Sequence, residues 1–110
     1  MPKLEATPER VAALFEALGD RRRLALLSSL GSGPKSIAEL SRGGEISRQG
    51  LTKHLRVLEG AGIVRGDRLG REVRFRIERE ALAHAQTFLD TVSTQWEGAL
   101  GRLARHVEEQ

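Results

Sequence analysis

The residues best suited to do chemistry lie in one stretch, Ile46 to Leu58, and that chemistry is recognition of a polyanion, not catalysis. Ser47 is placed to cap a helix, its hydroxyl oxygen accepting a free N–H of the first turn. At 100° per residue, Gln49, Lys53 and Arg56 share one face, with Arg48 and Thr52 flanking its start. Glutamine can pair with adenine, and arginine with guanine, through two hydrogen bonds each. Lysine and arginine also neutralise phosphates. The pattern therefore predicts a DNA-reading helix. An ordinary surface helix with a solvated polar face has the same appearance, and the flanking segments decide between the two.

The opposite face of this helix carries Leu51, Leu55 and Leu58 at i, i+4, i+7, so it must rest on a core. Ile46, before the cap, has the spacing of a hydrophobic staple to Leu51. Upstream, Thr7-Pro8 reads as the cap and first position of a helix with Val11, Leu14, Phe15 and Leu18 on its apolar stripe, ending at Gly19. Asp20 caps a second helix whose expected buried face is Leu24, Leu27 and Leu30, closed by Gly31; the run Gly31-Ser32-Gly33-Pro34 is a turn. Ser36 caps a short third helix containing Ile37 and Leu40, and Gly43-Gly44 is the expected tight turn before the organising helix. Residues 1–7 read as a loose arm.

After Gly62 the period changes from helical to alternating. Ile63 and Val64 start one strand, and Asp67 to Arg71 is the expected hairpin tip. In a second strand Val73, Phe75 and Ile77 alternate with Glu72, Arg74 and Arg76, which predicts an arginine-rich outer face. From residue 79 to 108 the helical period returns. Leu82, Ala85, Leu89, Val92, Trp96, Ala99 and Leu103 form a heptad-like seam, expected to be a subunit interface with Leu100 beside it. Leu14 and Leu18 of the first helix are added to that interface. Gly98 and Gly101 leave open whether the last helix is continuous.

Charge follows the same division. Residues 42–79 hold ten Lys/Arg against five Asp/Glu, whereas residues 80–110 hold two against five. Cations thus concentrate in the middle third, where a nucleic-acid surface is expected within a core of residues 8–78, and leave the last helix acidic. The 110 residues suit one domain, and the chain has no cysteine, which removes disulfides, thiolate ligands and thiol nucleophiles. No phosphate-binding glycine loop and no nucleophile–base spacing is present, so no enzyme, cofactor or metal is expected. No apolar run approaches a membrane span, and a cytoplasmic location is the default expectation.

Several runs together resemble the ArsR/SmtB repressors: Ala17-Leu18-Gly19-Asp20 with Arg23, Ile37-Ala38-Glu39-Leu40, and Ser47 through Lys53-His54-Leu55-Arg56-Val57-Leu58-Glu59 to Ala61-Gly62-Ile63-Val64. The resemblance covers about residues 11–78 and implies a mainly α fold with a small β-hairpin, a winged helix-turn-helix with N- and C-terminal dimerisation helices. It also implies a homodimeric repressor released from a palindromic double-stranded operator by an inducer, which the sequence does not identify.

The expected DNA contacts are Ser47, Arg48, Gln49, Thr52, Lys53, His54 and Arg56 on the helix, with Arg68, Arg71 and Arg74 on the wing. The expected dimer contacts are Leu14, Leu18, Leu89, Val92, Trp96, Leu100 and Leu103. Metal-sensing members carry ligands at positions matching Ser36, Ala38, Ser93 and Gln95, none of them suited to the task, and only His106 and Glu109 keep the pattern. Arg21 stands where proline is usual, Gly44 where leucine is frequent, and Arg48 where glutamine is frequent. Two alternatives remain beside the repressor: a winged helix used for protein–protein docking, and a metal sensor using the C-terminal helix.

Overall fold

The computed structural model describes residues 7–42 and 46–108. In chain order the elements are α1 (Pro8–Leu18), α2 (Arg21–Leu30), β1 (Lys35–Ser36), α3 (Ile37–Ser41), α4 (Arg48–Gly60), β2 (Val64–Leu69), β3 (Glu72–Ile77) and α5 (Arg79–Glu108). The strands form an antiparallel sheet in the order β1-β3-β2. The fold is a winged helix-turn-helix, mainly α with a small sheet.

Local chemistry sets the helix starts. Thr7 accepts the N–H of Arg10, Asp20 those of Arg22 and Arg23, and Ser47 that of Gly50. Ser36 and Glu39 form a reciprocal capping box on α3. Thr7 therefore belongs to the start of α1, and the remainder of the expected arm lies outside the described residues, as does the Gly43-Gly44 turn.

The core is built from Leu14 and Ala17 of α1, Leu26 and Leu30 of α2, the three leucines of α4, Ile63, Val64, and Ala81 and Ala85 of α5. Ile46 packs against it just ahead of Leu51, as the staple spacing predicts. The approach at Gly50 is close: a Cβ there would meet Ile46 Cγ2 at 2.8 Å, so Ile46 would have to shift.

Five expectations need correction. On α2 the buried residues are Leu26 and Leu30, while Leu24 is 49% exposed. The inward position of the first turn is taken by Arg23, whose Nε donates to the carbonyl of Ala17 at 2.6 Å, and this turns Leu24 outward. Leu14 is only 3% exposed, being sealed in its own core, so it has no surface to offer a partner. The hairpin tip is two residues, Gly70-Arg71, because the ladder continues to the pair Leu69 and Glu72. Gly70 makes the tight turn possible with φ of 66°. Ile63 is buried but precedes the strand, which begins at Val64. Finally, the arginine face of β3 is not fully outward: β3 is the central strand, paired with β1 through Lys35–Phe75 and Ser36–Arg74. Its arginine face is consequently half-covered, with Arg74 reaching Glu39 of α3 at 3.2 Å.

Helix α5 is continuous through Gly98 and Gly101. Ala81 and Ala85 are buried, Leu82 packs on the core, and Phe88 meets Phe15 edge-on with centroids 5.7 Å apart. The expected seam thus divides, its first turns serving the chain's own core. Beyond Phe88 the helix leaves the domain. The molecule is 69 Å long with a radius of gyration of 18.6 Å, against about 13 Å for a compact chain of this size.

The carboxyl of Glu39 is held below the usual glutamate range, first by the backbone N–H of Ser36 and further by Arg74. A carboxyl lowered by folding stabilises above its unfolded value, and this contribution is lost as pH falls through the folded value. Glu39→Gln should therefore lower the thermal midpoint at neutral pH, with the gap to wild type closing in acid. A gap independent of pH in circular-dichroism melts would show that the charge on Glu39 contributes nothing.

Candidate nucleic-acid interface

The outer face of α4 is a cationic stripe standing clear of the domain. Arg48, Gln49, Lys53 and Arg56 are exposed, and none of the three cations has an ion pair among the described residues. Their freedom follows from the leucines at the back, which fix the helix's rotation so that only polar residues point outward. Thr52 is half-buried, and its hydroxyl donates to the carbonyl of Arg48 at 2.9 Å, which leaves the oxygen able to accept. The hydroxyl of Ser47 is occupied as an acceptor by the cap at 3.1 Å and retains its proton for donation.

His54 is placed differently. It lies on the flank of α4, with Nδ1 3.4 Å from Nη1 of Arg23. Arg23 also donates to the carbonyl of Ala17 at the C-terminal end of α1, and to that of Glu16, which also accepts the N–H of Gly19. Arg23 and His54 thus tie α1, α2 and α4 together, and the imidazole faces the domain and not the stripe.

On the wing the six-residue strands carry five arginines if the tip is included, and they divide into two classes. Asp67 accepts Arg76 Nε at 2.7 Å and lies 3.8 Å from Arg65. Arg76 also reaches Glu78 at 2.8 Å, and Arg74 is shared between Glu39 and Glu72. Arg68 and Arg71, near the tip, are exposed and without an acid partner among the described residues; Arg68 Nε only folds back on the carbonyl of Gly70 at 3.3 Å. The structure therefore brings Arg48, Gln49, Lys53, Arg56, Arg68 and Arg71 to the surface as available donors. Arg74 and His54 are engaged elsewhere.

Sequence reading missed the partners that divide these arginines. Asp67 and Arg74 face each other across the hairpin, with Arg76 on the diagonal, a relation visible only once the tip is placed at Gly70-Arg71. Arg23 enters that reading only as part of the resemblance, with no role; the signal for one is an arginine following a capping aspartate by three residues.

A face of guanidinium, ammonium and amide donors on one helix, beside a cationic hairpin, can bind phosphates and read base edges. Comparisons with known proteins agree with this chemistry. Residues 18–67, from the last residue of α1 into β2, match a family described as a helix-turn-helix domain. The chain is 32% identical over 104 residues to the HTH-type transcriptional repressor SmtB of Mycobacterium tuberculosis, covering 90% of this chain and 76% of that one. It is 30% identical to the HTH-type transcriptional regulator Rv2034 of the same organism, covering 94% and 92%. Among solved structures, an ArsR-like transcriptional regulator from Rhodococcus sp. RHA1 matches with a TM-score of 0.79 at 30% identity, covering 88% and 92%. The free cationic stripe of α4, the wing beside it and these relatives lead to one conclusion: the chain belongs to the ArsR/SmtB family of winged helix-turn-helix, DNA-binding transcriptional regulators.

Proposed function

We propose that this protein is a homodimeric repressor that binds a palindromic operator and is not a metal sensor of the family's usual types. The observation that carries the reading is the exposed stripe of α4, whose cations have no ion pair among the described residues. Arg48, Gln49, Thr52 and Lys53 enter the major groove, with Gln49 and Arg48 reading base edges. Arg56 and Ser47 hold phosphates and set register. Arg68 and Arg71 at the wing tip lie along the backbone or enter the adjacent minor groove. Arg74 and His54 are left out of this division, since one is committed to Glu39 and the other to Arg23.

The dimer rests on the free half of α5. Leu89, Val92, Trp96, Leu100, Leu103 and Val107 are all exposed, Trp96 at 65%. They continue the stripe that Ala81 and Ala85 begin in the core. A helix this far from its own domain gains little from propensity alone and needs its apolar face covered. A second copy supplies the same stripe, and a two-fold pair of recognition helices suits an inverted repeat about one turn of B-DNA apart. Leu18 is half-buried and packs against the core, with part of its side chain left for a partner. Repression is the role printed in the name of the SmtB relative. The docking-module alternative leaves the free cations of α4 and the wing tip without a purpose.

Three outcomes test the reading. Gln49→Ala and Arg48→Ala should each cost about 1–3 kcal/mol on an operator recovered by binding-site selection, with little loss on random duplex. Equal losses on both DNAs would make these residues phosphate contacts.

Trp96→Ala should shift the protein toward monomer at micromolar concentration and weaken operator binding far more than one surface change would. Wild type sedimenting as a monomer would refute the interface, and a dimer indifferent to Trp96→Ala would remove the indole as its anchor.

Zinc, cadmium or arsenite at micromolar concentration should neither bind stoichiometrically nor release DNA. Zinc retained at one ion or more per dimer, and lost in His106→Ala, would restore the C-terminal sensor.

A further inference from the structure

Two arginines outside α4 and the wing have no task in the reading above. Arg21 and Arg22 open α2; both are exposed, and neither has an ionic partner among the described residues. The nearest carboxylate in sequence is already engaged. Asp20 Oδ1 accepts the backbone N–H of Arg22 at 2.8 Å and of Arg23 at 3.2 Å, and Oδ2 lies 4.0 Å from the Arg23 guanidinium.

With Ala25 and Ile46, the two arginines line an open cleft of about 480 Å³. Ile46 immediately precedes Ser47, the cap of α4. The cleft therefore lies beside the end of α4 that bears Arg48 and Gln49. Among the described residues its rim is cationic, because Arg21 and Arg22 are the first two residues of α2.

We propose that Arg21 and Arg22 form a second phosphate-binding site, which grips the DNA backbone beside the start of the recognition helix. The inference rests on the DNA-binding reading and adds to it a contact on an element that neither the recognition helix nor the wing supplies. A guanidinium presents a planar fork of donors that matches two phosphate oxygens at once. Two adjacent forks on the first turn of a helix fixed by its aspartate cap can hold one phosphodiester between them or two in succession. Such contacts carry no sequence information; they fix how deeply and at what angle α4 enters the groove.

The test compares wild type with Arg21→Gln/Arg22→Gln and with Arg21→Lys/Arg22→Lys, on the selected operator and on random duplex. Each phosphate contact contributes about 0.9 to the slope of log affinity against log salt. The glutamine pair should lower that slope by up to about 2 and weaken both DNAs by the same factor, about tenfold or more near 100 mM salt. The lysine pair should keep the wild-type slope, and both pairs should melt as wild type does. An unchanged slope in the glutamine pair, or a loss confined to the operator, would overturn the proposal. So would competition by millimolar inorganic phosphate at constant ionic strength against wild type and not the glutamine pair, which would make a free phosphate the ligand. Wild type that binds neither DNA would instead remove the DNA-binding reading itself.

Discussion

The arrangement depends on the seating of α4. The largest fully buried side chains are Leu51, Leu55, Leu58, Ile63 and Val64, which lie on α4, in the turn that follows it and at the first residue of β2. The helix that presents the free cations is thus the most deeply anchored element of the domain. A reading helix has to keep its azimuth within a few tens of degrees, since one residue spans 100°. Dense packing along its back supplies that constraint, and the staple from Ile46 across Gly50 fixes the angle at which the chain enters.

Once α4 is held, the distribution of acids decides which cations remain for a ligand. The central block is strongly basic by composition, yet Arg65, Arg74 and Arg76 are tied to Asp67, Glu39, Glu72 and Glu78. These pairs are partly exposed, and each is worth little as stability. Their effect is positional: they orient the body of the wing against α3 and leave its tip, Arg68 and Arg71, as the cationic point. An interface counted from arginines alone would be broader and less directed than the one that folding leaves.

Much of this was legible in sequence because its causes are local. Capping residues marked the starts of α1, α2, α3 and α4, and an unbroken helical period marked α5. The three leucines of α4 gave its rotation. What was hidden depends on pairing between distant segments. β1 is only two residues long and gains its identity from β3, about forty residues away. Without it the alternation of β3 predicts only an open arginine face. The error on α2 has the same character: Arg23 turns inward to satisfy carbonyls at the end of α1, and no periodicity reports that. The seam on α5 was visible as a stripe, but its division between the chain's own core and open surface was set by where the domain stops.

One joint shapes how the parts can move. β3 ends at Ile77 and α5 begins at Arg79, leaving Glu78 alone between them. The N–H of that residue is itself bonded to the carbonyl of Ile63 at 2.8 Å. A strand passing into a 30-residue helix through a single tethered residue has no slack. The helix, about 45 Å long at 1.5 Å per residue, is in mechanical terms a stiff arm clamped to the wing. Torque applied at its far end cannot be absorbed on the way and arrives at the hairpin. In any assembly that joins two such arms, the angle at which they cross and the distance between the two wings are therefore a single variable.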